Sequence, residues 1–235
     1  MSLLLEIEQM ETFIGQYHIL HGITLSVPAG EVTVLLGRNG AGKTTTLRSI
    51  MGLAPAQKGT IRFCGEEIQA FPPYEIVRRG IGYVPEDQGI FGDLTVEENL
   101  KVAMKHKDSA AMERLQWTLE LFPDLKTDWH KKGAYLSGGQ KQMLSIARAL
   151  VQDLSLLLID EPSKGLAPIM VEKVAKALLH MKQKTTIVLV EQNFAMASWV
   201  GDRFYILDDG KTVAAGPMKE LKEDQELKRK YLGVS

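Results

Sequence analysis

The chain has 235 residues, 45% apolar and 24% charged, with a formal net charge of −1. That length and balance fit one large domain, or a core with an appended subdomain, and give no overall attraction to nucleic acid or to an anionic membrane. A single cysteine, Cys64, excludes an internal disulfide and a cysteine-only metal site.

The opening "MSLLLEIEQM" lacks a basic n-region and is interrupted by Glu6 and Glu8, so it reads as a strand rather than a signal peptide. No apolar run approaches the ~20 residues of a membrane helix. The expectation is a cytosolic chain that another protein must hold if it works at a membrane. "ILHGITLSV" and "EVTVLL" read as further strands, with "PAG" as the turn between them. A helix is expected over Thr44–Met51, a hairpin in "GTIRFCGEEI" around Cys64–Gly65, and a short strand in "GIGYVPE" ended by Pro85.

From Thr95 the texture turns helical. Thr95 and Glu98 form a capping-box pair, and Met112, Leu115, Leu119 and Phe122 recur at helical spacing before Pro123 breaks the pattern. Residues 95–150 therefore read as a helical insertion within a core made of 1–94 and 151–235. "LSLLLID" and "TTIVLVE" are buried strands, each followed by a helix (Met170–Met181 and Phe194–Val200). "RFYILDDGKTVAAG" is a hairpin turning at Asp209–Gly210, and Lys219–Leu232 reads as one solvated helix. Apolar strands alternating with helices imply an α/β fold with a parallel sheet covered on both faces and the two hairpins at its margin.

Three motifs carry chemistry. "LGRNGAGKTTT" follows an apolar strand and opens a helix, the context of a phosphate-binding loop. Gly37, Gly40 and Gly42 permit positive φ, so the backbone N–H groups from Arg38, Asn39 and Ala41 onward can approach a polyphosphate. Lys43 supplies charge to the β- and γ-phosphates, the Thr44 hydroxyl can ligate Mg²⁺, and Thr45 stands beside it. "LLLIDEP" ends a buried strand in Asp160, suited to hold Mg²⁺ through water, and Glu161, placed to polarise a water near the γ-phosphate. In "YLSGGQKQMLSIARAL" Ser137 caps a glycine-entered helix with Met143, Ile146, Ala147 and Leu150 on one side, a second helix N-terminus suited to an anion. On spacing alone it is equally a capped structural helix.

Leu136, Ser137, Gly138, Gly139 and Gln140 resemble the signature of ATP-binding cassette (ABC) ATPases, and they lie between a phosphate loop and an "IDEP" strand in the order that family uses. The resemblance covers nearly the whole chain. It implies a P-loop core with a mostly parallel sheet, an antiparallel β subdomain and an inserted helical subdomain. It also implies Mg-ATP hydrolysis, and a head-to-tail pair in which the signature of one subunit meets the ATP of the other. "VPED", "EPSKGLAP", "VEQN", "ELFP" and "YLG" are similar to the shorter ATPase of branched-chain amino acid uptake transporters. This implies integral membrane permease subunits as partners, a cytoplasmic-face location and no nucleic acid. Glu86 stands where the wider family carries a glutamine touching Mg²⁺, Gln192 where it carries a histidine, and Ala167 where it carries an aspartate. By register the adenine-stacking aromatic falls at Ile14, flanked by Phe13 and Tyr17, either of which could stack on the base. Two rivals stay open here: a small-molecule kinase sharing the loop, and a cassette in a non-transport role. His21, His106, His130 and His180 have no ligand-like partners and read as structural.

Overall fold

The computed structural model describes residues 2–104 and 108–233; the expectation for His106 lies outside them. Among the described residues ten strands form two sheets. β1 (Leu3–Ile14), β2 (Tyr17–Pro28), β4 (Ala56–Phe63) and β5 (Glu66–Glu67) make an antiparallel sheet in the order β2-β1-β4-β5. β3 (Val32–Leu36), β6 (Ile81–Val84), β7 (Leu156–Asp160), β8 (Thr186–Val190), β9 (Arg203–Asp208) and β10 (Lys211–Pro217) make the second, in the order β10-β9-β3-β8-β7-β6. All its pairings are parallel except β9 with β10.

The first hairpin thus does not extend the parallel sheet, as the sequence suggested, but belongs to a sheet of its own. The reason is visible in side-chain alternation. Val32, Val34, Leu36, Leu157, Ile159, Ile187 and Leu189 face one core, whereas Leu35, Leu156, Leu158, Val188 and Val190 face another, shared with Leu5, Ile7, Ile23, Leu25 and Ile61 of the antiparallel sheet. Strands buried on both faces need a cover on each side. Helices supply one cover; the antiparallel sheet and α1 (Lys43–Ile50) supply the other.

Between β6 and β7 lie α3 (Val96–Ala103), α4 (Ser109–Leu121), α5 (Pro123–Thr127) and α6 (Gly138–Leu150), with α2 (Pro73–Arg78) before β6. The Thr95–Glu98 capping box is formed. Met112 is 51% exposed, and the buried face of α4 runs through Ala111, Leu115 and Thr118 instead. Pro123 does not merely end a helix: it occupies the first position of α5, where its missing N–H costs nothing. After β7 and β8 come α7 (Pro168–Met181) and α8 (Phe194–Val200). The C-terminal segment is not one solvated helix. It divides into α9 (Met218–Glu223), α10 (Gln225–Leu227) and a π-turn over Lys228–Leu232. Asp224 breaks it by accepting from the Leu227 N–H as a new N-cap, and Leu221 is fully buried. No helix among the described residues is long and apolar enough to cross a membrane.

Candidate active site

β8 lies between β3 and β7, with Leu35 opposite Val190 and Asp160 opposite Val190 in register. The carboxyl ends of three adjacent strands are therefore level, and the segments that leave them, 37–43, 160–161 and 191–192, meet at one edge. Ligand sites in parallel sheets form at such an edge.

The loop after β3 depends on its glycines. Gly37 has φ 144° and a Cβ there would sit 2.2 Å from the Leu207 carbonyl oxygen; Gly42, φ 97°, closes the loop onto Leu20. Gly42 caps α1 with no side-chain hydrogen bond, so the first N–H groups of the helix have no side-chain acceptor. Arg38, Asn39 and Gly40 are exposed at the crest, Ala41 is buried, and Thr44 and Thr45 are half-buried. The buried Lys43 ammonium donates to the carbonyls of Gly37 at 2.9 Å and Arg38 at 3.0 Å. Burial pushes its pKa down, and the negative charges of Glu161, Asp160 and Glu191 oppose that shift.

The Thr44 hydroxyl donates to Asp160 Oδ1 at 3.1 Å, and the Tyr83 hydroxyl lies 3.4 Å from Asp160 Oδ2. Thr44, Tyr83, Glu86 and Asp160 line one cleft of about 580 Å³. Glu161 is buried, in the left-handed region at φ 46°, where its N–H donates to the Val190 carbonyl at 2.9 Å. A non-glycine residue held there carries strain of a kind that clusters at functional sites. The Gln192 amide donates to Asn39 Oδ1 at 2.7 Å and also to Glu161 Oε1, joining the loop crest to the carboxylate.

Thr44, Glu86 and Asp160 offer hard oxygen donors, which suit Mg²⁺. Among the described residues no cluster of three or more His, Cys, Asp or Glu side chains makes a protein-only metal cage. Magnesium needs none, because one or two carboxylates plus substrate phosphates hold it.

Burial is the main cause that pushes Asp160 up to about 6, against the Thr44 hydrogen bond that lowers it. Between about pH 4, where an unfolded aspartate titrates, and about 6 the folded protein holds this proton more tightly than the unfolded chain. The contribution to stability is fully present below the unfolded value and is lost as pH rises through the folded one. In magnesium-free buffer D160N is therefore expected to raise the thermal midpoint more at pH 8 than at pH 5, by about 3 °C. An equal shift at both pH values would contradict the assignment of the raised value to Asp160.

The signature residues lie apart from this cluster within the chain. Ser137 and Gln140 form a reciprocal capping box at the start of α6, and the Gln140 amide also donates to Asp128. Leu136 is buried, Ser137 and Gly138 are exposed, and Gly139 packs so closely on Met170 that a Cβ would lie 2.3 Å from its Cε. No hydrogen bond or ion pair among the described residues joins 136–140 to 37–45. The ring of Phe13 stacks on His18 with centroids 4.1 Å apart, so one of its faces is covered, whereas Tyr17 is 66% exposed.

Three neighbours of the site had no signal in the sequence. Tyr83 reaches Asp160 from the interior of a strand. Glu191, buried with a raised pKa, accepts from the Ser163 hydroxyl and from the N–H groups of Gln192 and Asn193. Lys164 contacts both Glu86 and Glu161.

A parallel-sheet edge carrying a glycine cradle, a captive lysine and two convergent carboxylates defines a nucleoside-triphosphatase of the P-loop class. The ABC transporter family model matches residues 20–164, more than half of the chain, and the protein belongs to that family as an ATP-binding, ATP-hydrolysing transporter subunit. It is 38% identical over 233 residues to BraG of Pseudomonas aeruginosa, a high-affinity branched-chain amino acid transport ATP-binding protein, covering 98% of this chain and 100% of that one. It is 35% identical over 219 residues to LptB of Haemophilus influenzae, a lipopolysaccharide export system ATP-binding protein, covering 92% and 91%. The fold matches the ADP conformation of an ATP-binding cassette of an ABC transporter at TM-score 0.83 and 26% identity, over 96% and 97% of the two chains. Membership of this family removes the small-molecule kinase as a rival.

Proposed function

We propose that this chain energises the import of branched-chain or other hydrophobic amino acids. The observation that carries the choice is the alignment with BraG, which runs the full length of that protein at the higher identity. LptB, at 35%, keeps lipopolysaccharide export as the second reading. The chain works as one of two ATPase subunits, identical or not, docked on integral membrane permease subunits at the cytoplasmic face, with no role for nucleic acid. Residues 95–150 act as a helical unit that carries the signature.

In this reading the amides of 38–44 and the Lys43 ammonium hold the β- and γ-phosphates. Thr44, Asp160 and Glu86 would hold Mg²⁺, which when bound would draw charge from the phosphate oxygens. Glu161 orients a water for in-line attack and accepts its proton, while the Gln192 amide can donate to the γ-phosphate without titrating. Leu136 to Gln140 of the opposite subunit close over the same phosphates, with the exposed Ser137 and Gly138 foremost. Tyr17, or the free face of Phe13, supports the adenine. The proposal is tested by deleting the gene in its host and following uptake of radiolabelled leucine, with the wild-type gene restored as control. Loss of saturable leucine uptake with an intact cell envelope is expected. Undiminished uptake with lipopolysaccharide retained inside the cell would favour the export reading instead.

A further inference from the structure

The cleft holds an excess of negative charge. Glu86 and Asp87 come from the segment after β6, and Asp160 and Glu161 come from the end of β7, against the Lys43 ammonium and the Arg48 guanidinium. Lys164 answers this excess. The tight turn after β7, closed by the Lys164 N–H on the Glu161 carbonyl at 3.1 Å, returns its side chain over the carboxylates. Its ammonium lies 2.5 Å from Glu86 Oε1 and 3.7 Å from Glu161 Oε2. It is therefore bonded to the first and held just short of the second, whose other oxygen takes the Gln192 amide.

We propose that Lys164 is a positioning residue: it pairs with Glu86 so that an acid is tolerated beside the γ-phosphate and its own ammonium does not close on Glu161. The pairing joins the segment after β6 to the carboxylate after β7. The inference rests on the reading of Glu161 as the water-orienting carboxylate.

The consequences of each removal differ. With Lys164→Met, the same carboxylates face the cleft with one counter-charge fewer, and the approach of an anionic nucleotide is opposed. KM for ATP rises. With Glu86→Gln, Lys164 is left with Glu161 as its only carboxylate partner among the described residues, closes the 3.7 Å gap to it and turns it away from the water. The turnover number falls, and the loss of the Glu86 oxygen raises KM as well. In the double variant these two faults are relieved together, because charge balance is restored and nothing competes for Glu161; the Glu86 oxygen is still lost, so the pair stays below wild type but above the product of the single effects.

The test is a double-mutant cycle on kcat and KM for ATP with K164M, E86Q and the pair. It is joined by thermal midpoints of the nucleotide-free proteins and by titration of ATP with and without Mg²⁺. Lys164 and Glu86 are both substantially exposed, so a coupling of about fivefold in kcat/KM is expected, the upper range for exposed pairs. K164R, which keeps the charge, should restore KM, and K164M should weaken ATP binding in the titration as well as in kinetics. Single effects that simply multiply in the pair would overturn the proposal, as would coupling found in the thermal midpoints but not in catalysis, since the latter marks an ion pair that only stabilises the fold. E161Q run alongside separates the two failures. If it retains turnover, the reading of Glu161 has failed; if it abolishes turnover while the cycle is additive, only the role of Lys164 has.

Discussion

Glu161→Gln is expected to abolish steady-state ATP hydrolysis while leaving nucleotide binding intact. The carboxylate is buried, fixed by a left-handed backbone and hydrogen-bonded by the Gln192 amide, so its orientation is set before any substrate arrives. An amide of the same shape keeps the packing but cannot take a proton from water. Losing a positioned general base costs on the order of 10²–10⁴ in rate. The slowed enzyme should also accumulate as an ATP-bound pair of subunits, seen as an ATP-dependent shift in gel filtration. Turnover within a few-fold of wild type would remove Glu161 from the chemistry.

Lys43→Ala should act one step earlier, on binding. The ammonium is buried and held by two carbonyls, with three acidic side chains supplying opposite charge. Its loss leaves those acids less compensated and, on the proposed reading, removes the main cation facing the phosphates. Truncating one partner of a buried, hydrogen-bonded charge pair costs about 2–5 kcal/mol, so ATP affinity should fall about 100-fold. Titration with a fluorescent ATP analogue reads this directly. K43R separates charge from shape: it keeps the cation but not the compact ammonium that fits between the Gly37 and Arg38 carbonyls, and it should recover only part of the affinity. An unchanged Kd in K43A would contradict the cradle.

Much of this site is legible in the sequence because its parts are dictated by local chemistry. A strand that must be buried on both faces reads as "VTVLL", "LLLID" or "TIVLV". A loop that must wrap an anion needs glycine where the backbone turns left-handed, as at Gly37 and Gly42. What could not be read is what depends on side chains meeting across the fold. Tyr83 looks like an ordinary strand aromatic until β6 pairs with β7 and brings its hydroxyl to Asp160. Lys164 sits in a turn whose residues say nothing of the distance to Glu86. The stacking of Phe13 on His18 likewise arises from the turn that joins β1 to β2.

Elsewhere the local signals misled for identifiable reasons. Pro123 read as the break of a helical pattern, yet it begins α5, because the first helical position needs no N–H; Pro73 begins α2 in the same way. The first hairpin looked like a margin of the parallel sheet because alternation shows that a strand has a buried face, not which sheet supplies its neighbours. Charges alternating from Lys219 to Leu232 suggested continuous helix, but an aspartate at 224 stops one helix and caps the next.

The central claim is that the loop at 37–44 and the carboxylates at 160–161 act on one nucleotide. A crystal structure of E161Q soaked with Mg-ATP asks this most directly. The account predicts the γ-phosphate against the Lys43 ammonium, a metal held by Thr44 and Asp160, and residue 161 facing a water in line behind the phosphorus. Nucleotide bound elsewhere, or a metal with no path to Asp160, would contradict it.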